Sequence, residues 1–480
     1  MRGLWGLQSV VGGGIMSTTV AQLTGVRRAA DVAALLGDPP AGAPRFLIEE
    51  ADGRAVLAYR RLRHQAFVED QGLFDGSDLD DRDEDPRTIV LIARDSTGAV
   101  IGGVRLGPAT AGPDIGWWQG GRLVTTGSSA GVGAALVRAA CARAEAAGAL
   151  RFDATVQTGT HRFFQRLGWE TIRPVEVAGS KHLLMRWPID RVARLVAATK
   201  SELGPLLSGL GPQGFVGDDG APVPGSDLVA ACDAILPSMV ERDPEWAGWC
   251  SVLVNVNDLA AMGAEPVGLL DALGARDRSF ATRVLSGLRR AATAYGVPVL
   301  GGHTQFGVPA ALSVTALGRT AHPVPGGGGR PGQPVRLTAD LAGGWRSGYA
   351  GRQWDSTSGR RTEDLRAMIG AVGNARPEAA KDVSMAGVVG TLGMLAEASG
   401  CAATLDVAAV PKPGDASMGD WLTCFPGFAM LTTGRQELSA GPADSAVCGE
   451  LTTGQGVRLR WPDGEITEAL AAGVTGMGAA

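Results

Sequence analysis

Apolar and polar positions in this chain repeat with two periods, near two and near 3.6 residues, and the switches between them divide it. Phe46-Leu47-Ile48-Glu49, Thr88 to Ala93 and Val100 to Leu106 read as strands, the last two joined by the turn Asp95-Ser96-Thr97-Gly98. Leu57 to Gln71 has helical spacing, and an acidic loop, Asp75 to Asp85, follows it. A strand ending at Leu123-Val124 leads to an Ala-rich helix from Gly131 to Ala147, stopped by Gly148. A strand over Phe152 to Val156, a short helix over His161 to Leu167 and a strand over His182 to Trp187 complete a first unit, residues 44–189. Before it, residues 1–43 are rich in Ala, Gly and Pro and are expected to be a poorly ordered extension. Asp190 to Leu207 reads as a helix broken at Gly204-Pro205, which makes 190–205 a linker. A Pro/Gly cluster, Pro323 to Pro334, splits the remainder into units 206–322 and 330–476. Strands are predicted near Ser251–Val256 and Ala311–Leu317, and a helix over Met385 to Ser399. The fold class is α/β, or α+β, with strands and helices intermixed throughout.

Size and composition narrow the function. A chain of 480 residues suits two or three domains, and 45% hydrophobic with 19% charged residues suits globular cores. A formal charge of −5 and a pI near 5.7 argue against broad nucleic-acid binding, which needs a concentrated basic face. The six cysteines are scattered without a C-x-x-C pair, which favours reduced thiols in the cytoplasm over disulfides or zinc. No apolar run is long enough to span a bilayer, so no membrane partner is expected. Met1 to Ile15 makes a poor signal peptide, and Met16 is an alternative start.

The densest chemistry is a relay of acidic motifs. In order they are Val216-Gly217-Asp218-Asp219-Gly220, Asp233, Asn255-Val256-Asn257-Asp258, Leu300-Gly301-Gly302-His303-Thr304 and Asp382-Val383-Ser384. Each sets a carboxylate or imidazole beside a small residue at a predicted strand end. Singly, each is as readily an Asp-Gly turn. Together, carboxylates gathered without Arg or Lys partners repel, and a cation is needed to hold them. Mg²⁺ suits, because it takes a few carboxylates plus the oxygens of a nucleotide.

In that order the motifs resemble a superfamily of ATP-using enzymes. It comprises aminoimidazole ribonucleotide (AIR) synthetase, thiamine-monophosphate kinase, selenophosphate synthetase and the hydrogenase-maturation dehydratase. Gly217-Asp218-Asp219 is similar to its first metal motif, and Asn257-Asp258-Leu259-Ala260-Ala261-Met262-Gly263-Ala264 to its second. The resemblance implies two α/β subdomains with Mg²⁺ and ATP between them. Asp218, Asp233, Asp258 and Asp382 become candidate metal or phosphate ligands, with Asp219 supporting the loop. His303, where kinase members carry Asp, becomes a candidate catalytic group. Asn255 and Asn257 either hydrogen-bond the nucleotide or cap the strand end. The resemblance further implies a homodimer formed by joining the sheets of the first subdomains, with the strands near Ser251–Val256 and Ala311–Leu317 as contributors. Met385 stands where kinase members carry a second Asp, which predicts one metal site fewer.

The first unit carries a different pattern. Ser128-Ser129-Ala130-Gly131-Val132-Gly133 follows a strand and opens the Ala-rich helix, where backbone N–H groups can meet a phosphate. With Phe163-Phe164-Gln165-Arg166-Leu167-Gly168-Trp169 closing the series, the order resembles the GNAT N-acetyltransferases. Ser128, Ala130, Gly131, Val132 and Gly133 would then hold the pyrophosphate of acetyl-CoA. No Tyr occupies the usual general-acid position, and Glu69 and His161 are the possible substitutes. The segment Arg63 to Gly72 is similar to the first helix of relatives near the acyl-homoserine-lactone synthases. The whole domain order resembles an uncharacterised family that joins an acetyltransferase to an AIR-synthase-related domain in nitrilase-linked, nitrogen-starvation gene clusters. The expectation is a cytoplasmic bifunctional biosynthetic enzyme acting on small-molecule substrates, using ATP, Mg²⁺ and acetyl-CoA. The alternatives are a nucleotide- or CoA-sensing regulator of nitrogen metabolism, and a chain with only one catalytic half.

Overall fold

A computed structural model describes residues 46–127, 130–201, 203–211 and 213–479 of the chain. The whole of the expected extension over 1–43 therefore lies outside the described residues, as does Ser128. The chain divides into two units. The first comprises the described residues up to Ala109 together with Trp117–Ala147 and Phe152–Pro188, and the second the rest, chiefly Ile189–Ala480.

The first unit is one seven-stranded sheet. Its strands are β1 (Phe46–Glu50), β2 (Ile89–Asp95), β3 (Val100–Pro108), β4 (Trp117–Thr125), β5 (Arg151–Gln157), β6 (Glu170–Val177) and β7 (Ser180–Trp187), in the order β1-β2-β3-β4-β5-β7-β6. Helix α1 (Gly53–His64) starts at Asp52, whose carboxylate accepts the Ala55 N–H at 2.8 Å. It continues as a π-helical segment, Gln65–Asp70, through the stretch expected to be regular helix. Helix α2 (Val132–Ala146) is the Ala-rich run. Two adjacent glycines on β3 let both helices approach. A Cβ on Gly103 would fall 2.5 Å from the Tyr59 ring of α1, and one on Gly102 would fall 3.2 Å from Val132 of α2. Neighbouring residues on a strand face opposite sides, so α1 and α2 cover opposite faces of the sheet.

The second unit holds two larger sheets. The five-stranded sheet runs β11-β10-β12-β9-β8, with β8 (Ala221–Pro222), β9 (Leu228–Ile235), β10 (Glu265–Ala275), β11 (Val299–Phe306) and β12 (Ala311–Arg319). Strands β10 and β11 are parallel, and the other pairs are antiparallel. The seven-stranded sheet runs β16-β19-β13-β20-β17-β21-β22. Its strands are β13 (Pro334–Ala339), β16 (Ala379–Asp382), β17 (Ala402–Asp406), β19 (Ala429–Thr433), β20 (Asp444–Thr452), β21 (Val457–Arg460) and β22 (Ile466–Leu470). Strands β14 (Gly344–Trp345), β15 (Gln353–Asp355) and β18 (Phe425–Pro426) form a small third sheet. Helix Gly387–Ala398 packs against β16, β17 and β19.

Between these sheets lies α3 (Pro244–Ala261), which packs on β12 and β9 from one side and on β16 and helix Thr362–Ala375 from another. This corrects the strand expected over Ser251–Val256. That run is rich in β-branched residues, but the helix is buried on nearly all sides, so no period survives to mark it. Asp243 caps it and Pro244 opens it, both helix-start features. Its neighbour α4 (Arg278–Tyr295) approaches closely enough that a Cβ on Gly248 would strike the Val284 carbonyl oxygen, and one on Gly287 the Glu245 carbonyl oxygen. The linker also differs from expectation. Helices Arg191–Thr199 and Leu203–Leu207 are separated before Leu203, because Pro205 sits in the first turn of the second helix, where its missing N–H costs nothing.

Candidate functional site

Three segments of the second unit meet at a cluster of carboxylates. Gly217 takes φ +77°, a left-handed turn that carries the chain into Asp218 and Asp219. Asp382 ends β16, and Asp258 stands in the last turn of α3. One carboxylate oxygen each from Asp219, Asp258 and Asp382 lies within 4.8 Å of the other two. Asp219 is fixed from both sides: Lys381 Nζ donates to its Oδ1 at 2.8 Å, and the Asp382 N–H donates to its Oδ2 at 3.0 Å. Lys381 Nζ also donates to the Gly217 carbonyl oxygen at 2.8 Å.

Asp258 and Asp382 are only 8% and 4% exposed. Among the described residues no protein donor reaches either carboxylate. Burial, and then the charges of neighbouring aspartates, push both pKa values well above the ordinary range. Asp382 and Asp233 are the main charges acting on Asp258, and Asp219 and Asp233 those acting on Asp382. Asp258 also faces the negative end of its own helix dipole, an unfavourable place for an anion. A converging, oxygen-only donor set with unsatisfied buried carboxylates fits a hard divalent cation such as Mg²⁺.

The remaining residues singled out in the sequence are placed differently. Asp218 turns toward Lys381 and Gly326, and burial pushes its carboxyl up to about 6 against the pull of Lys381. Asp219, expected to support the loop, is thus in the convergent group, and Asp218 is its neighbour. Lys381 corrects the expectation of an acidic cluster without a cationic partner. Burial opposes its charge, but Asp219 and Asp218 outweigh burial and hold its pKa above the ordinary lysine value. Nothing in the short stretch Ala379-Ala380-Lys381-Asp382 marks it in advance.

Asn255 and Asn257 sit on α3 rather than at a strand end, and both are buried. Asn255 Oδ1 accepts the Asp233 N–H at 3.2 Å, and Asn257 Nδ2 donates to the Gly427 carbonyl oxygen at 3.1 Å. Both hydrogen bonds tie the helix to its surroundings. His303 lies in the middle of β11, paired with Ala272 and exposed, not at a strand end. In the sheet order it is three strands from Asp233, roughly 14 Å at ordinary strand spacing, so one chain does not bring it to the carboxylates.

The first unit encloses a cavity of about 710 Å³. Gly131 and Gly133, at the start of α2, line it together with Gln157, Arg162, Phe163 and Trp169. Gly131 has φ +84° and leaves the first turn of α2 without a side-chain cap. Val132 is fully buried, and neither it nor Ala130 lines the cavity. Neither expected acid-base residue lines it. Glu69 pairs with His64 at 3.5 Å on the exterior, and His161 Nδ1 lies 2.6 Å from the Thr158 carbonyl oxygen. His182, which sequence reasoning passed over, is buried and does line the cavity. Alternation along β7 was the available signal for its inward position.

A family model described as AIR synthase related protein, N-terminal domain, matches residues 217–320. An uncharacterized protein of Synechocystis is 35% identical over 229 residues, 46% of this chain and 71% of the relative. One of Methanocaldococcus jannaschii is 31% identical over 243 residues, 47% of this chain and 73% of the relative. The thiamine-monophosphate kinase of Synechococcus elongatus is 37% identical over 133 residues, 25% of this chain and 41% of the kinase. Among solved structures, T. maritima PurL complexed with FGAR aligns with a TM-score of 0.49 at 18% identity, covering 61% of this chain and 54% of that one.

Proposed function

The chain belongs with the Synechocystis and Methanocaldococcus jannaschii proteins through its second half and carries an AIR synthase related N-terminal domain over residues 217–320, and on that premise we propose that this half binds Mg-ATP and transfers a phosphoryl group to an oxygen of a small molecule. The observation that carries the reading is the convergence of Asp219, Asp258 and Asp382, two of them buried without protein donors. Relatives named thiamine-monophosphate kinase and selenide, water dikinase support the reaction class. Mg²⁺, when bound, neutralises phosphate charge. Asp258 and Asp382 would hold it, and Lys381 and the Asp382 N–H keep Asp219 aimed at the same point. In the transfer, the acceptor oxygen forms a bond to phosphorus as the bond to the nucleoside diphosphate breaks. Positioning and charge neutralisation carry such a reaction. The acceptor is expected to be an amide, carboxylate or similar oxygen. Calorimetric titration with ATP should give binding that requires Mg²⁺, followed by ATP consumption when amide and carboxylate metabolites are screened. Equal binding with and without Mg²⁺ overturns the assignment, and binding without consumption favours a sensor.

The first unit is proposed to take an acyl-CoA thioester and pass its acyl group to an amine. The cavity at the Gly131–Gly133 turn supports this. Acetyl-CoA should raise the melting temperature of the wild-type chain, and Gly131→Val should abolish the shift. An unshifted wild type removes the proposal.

Pairing of two copies through the five-stranded sheet is also proposed, by its β11 edge and not by the expected contributors, because Ser251–Val256 is helical and β12 is already paired on both sides. Every residue of β11 is exposed, including Val299, Leu300 and Phe306, and Leu270 beside it on β10 is 40% exposed. An uncovered apolar edge strand seeks a partner. His303 could then serve only through a second copy. Light scattering at micromolar concentration should give a dimer mass for wild type and a monomer mass for Leu300→Lys. A monomeric wild type refutes it.

A further inference from the structure

We propose that the Lys381 ammonium is a built-in cation that occupies one side of the acidic site, leaving a single divalent-metal position against Asp258 and Asp382. This rests on the reading of the site as a Mg-nucleotide site.

The surroundings of Lys381 are those of a bound metal ion. Its Nζ touches oxygen ligands: the Gly217 carbonyl and the Asp219 carboxylate, each at 2.8 Å. Asp218 crowds the same point. A Cβ on Gly326 would lie 2.5 Å from Asp218 Oδ1, 2.9 Å from Lys381 Cε and 3.2 Å from Nζ. Gly326 therefore leaves room for the Asp218 carboxylate, whose two oxygens are buried without a hydrogen-bond partner, to sit near the ammonium. The Gly217 carbonyl and the Asp219 carboxylate bonded to one buried point, with the unpaired Asp218 carboxylate beside it, form a donor set that a hard cation would otherwise claim. At 1% exposure Lys381 cannot swing out to vacate it without opening β16.

The other side of the site has the opposite character. No protein donor among the described residues reaches Asp258 or Asp382, so their charges are left for an ion supplied from solution. Asp219 joins the two sides, with Oδ1 on Lys381 and a ligand oxygen within 4.8 Å of those of Asp258 and Asp382. An ammonium delivers one positive charge with fixed geometry and cannot be stripped by a chelator.

The test counts ions rather than turnover. Mn²⁺ is titrated into the full-length protein with a non-hydrolysable ATP analogue and read by electron paramagnetic resonance. Wild type should hold one Mn²⁺ per bound analogue. Lys381→Ala, which removes the charge and opens its space, should hold two. Lys381→Met, which removes the charge but keeps the bulk, should hold one and bind the analogue more weakly. Two Mn²⁺ in wild type overturn the proposal whether or not the variants fold. A folded Lys381→Ala that still holds one also overturns it. No Mn²⁺ with the analogue in wild type would instead remove the reading of the site on which the proposal rests.

Discussion

Asp258→Asn should weaken Mg-ATP binding by about 100-fold or more while making the ligand-free protein more stable. The expected loss exceeds the 10- to 100-fold typical of residues that only support metal ligands, because a ligand charge itself is removed. The gain in stability has the same origin. In the folded chain Asp258 is buried beside Asp382, Asp233 and Asp219, and its pKa is raised. A carboxylate with a raised folded-state pKa binds its proton more tightly folded than unfolded. Its favourable contribution is present at low pH and is lost as pH rises through the folded value. For Asp218 that window runs from about pH 4 to about 6, and Asp258 and Asp382 extend it upward. In EDTA, the melting temperature of Asp258→Asn should therefore exceed that of wild type by a few degrees, and the gap should widen from pH 5 to pH 8. Saturating Mg-ATP should reverse the order, since only wild type gains from binding. A variant less stable than wild type at pH 8 in EDTA would show that Asp258 has a structural partner.

Arg63→Met should cost roughly 3–5 kcal/mol of folding stability in the first unit, the scale for stranding a buried charge. Arg63 is fully buried. Its Nε donates to Asp78 Oδ2 at 2.7 Å and its Nη1 to Asp83 Oδ1 at 2.5 Å. Arg105 and Arg122 complete the network with Asp80, Asp83 and Asp78. Burial opposes ionisation of Asp83, but Arg63 and Arg105 outweigh it and hold its pKa at about 2. Its contribution is thus present above about pH 4 and fades as pH falls toward 2. Denaturant melts should show a lower midpoint for Arg63→Met. The double change Arg63→Met, Asp78→Asn should recover part of it, because Arg105 and Arg122 then balance Asp80 and Asp83. If the double variant is no better than the single one, packing rather than charge explains the loss.

Much of this architecture was legible because it obeys simple periods. The Ala-rich run ending at Gly148, the strand pair around Asp95-Ser96-Thr97-Gly98 and the strand over Ala311–Leu317 follow local rules that packing does not override. Helix α3 escaped because all-round burial erases the polar face that marks a helix, leaving only β-branched composition to judge by. The sequence favours Asp218 over Asp219 as a ligand, and the structure brings Asp219 into the cluster instead, since neighbouring carboxylates look alike until the Gly217 turn decides which one converges. Lys381 was invisible because a buried lysine identifies itself only through the oxygens around it. His303 read as a cleft residue because a sequence does not reveal which strand forms a sheet edge.

Helix α3 has one more consequence, in mechanics. Asn255 pins it to β9, and Asn257, two residues on and projecting to a different side, pins it to the loop at Gly427. The five-stranded sheet and the Gly427 segment are thus riveted to one rigid rod, and that rod carries Asp258. A clamshell motion of the two sheets would shear both rivets and wet the apolar sides of the rod. The carboxylate site thus stands on a framework that acts as a fixed anvil.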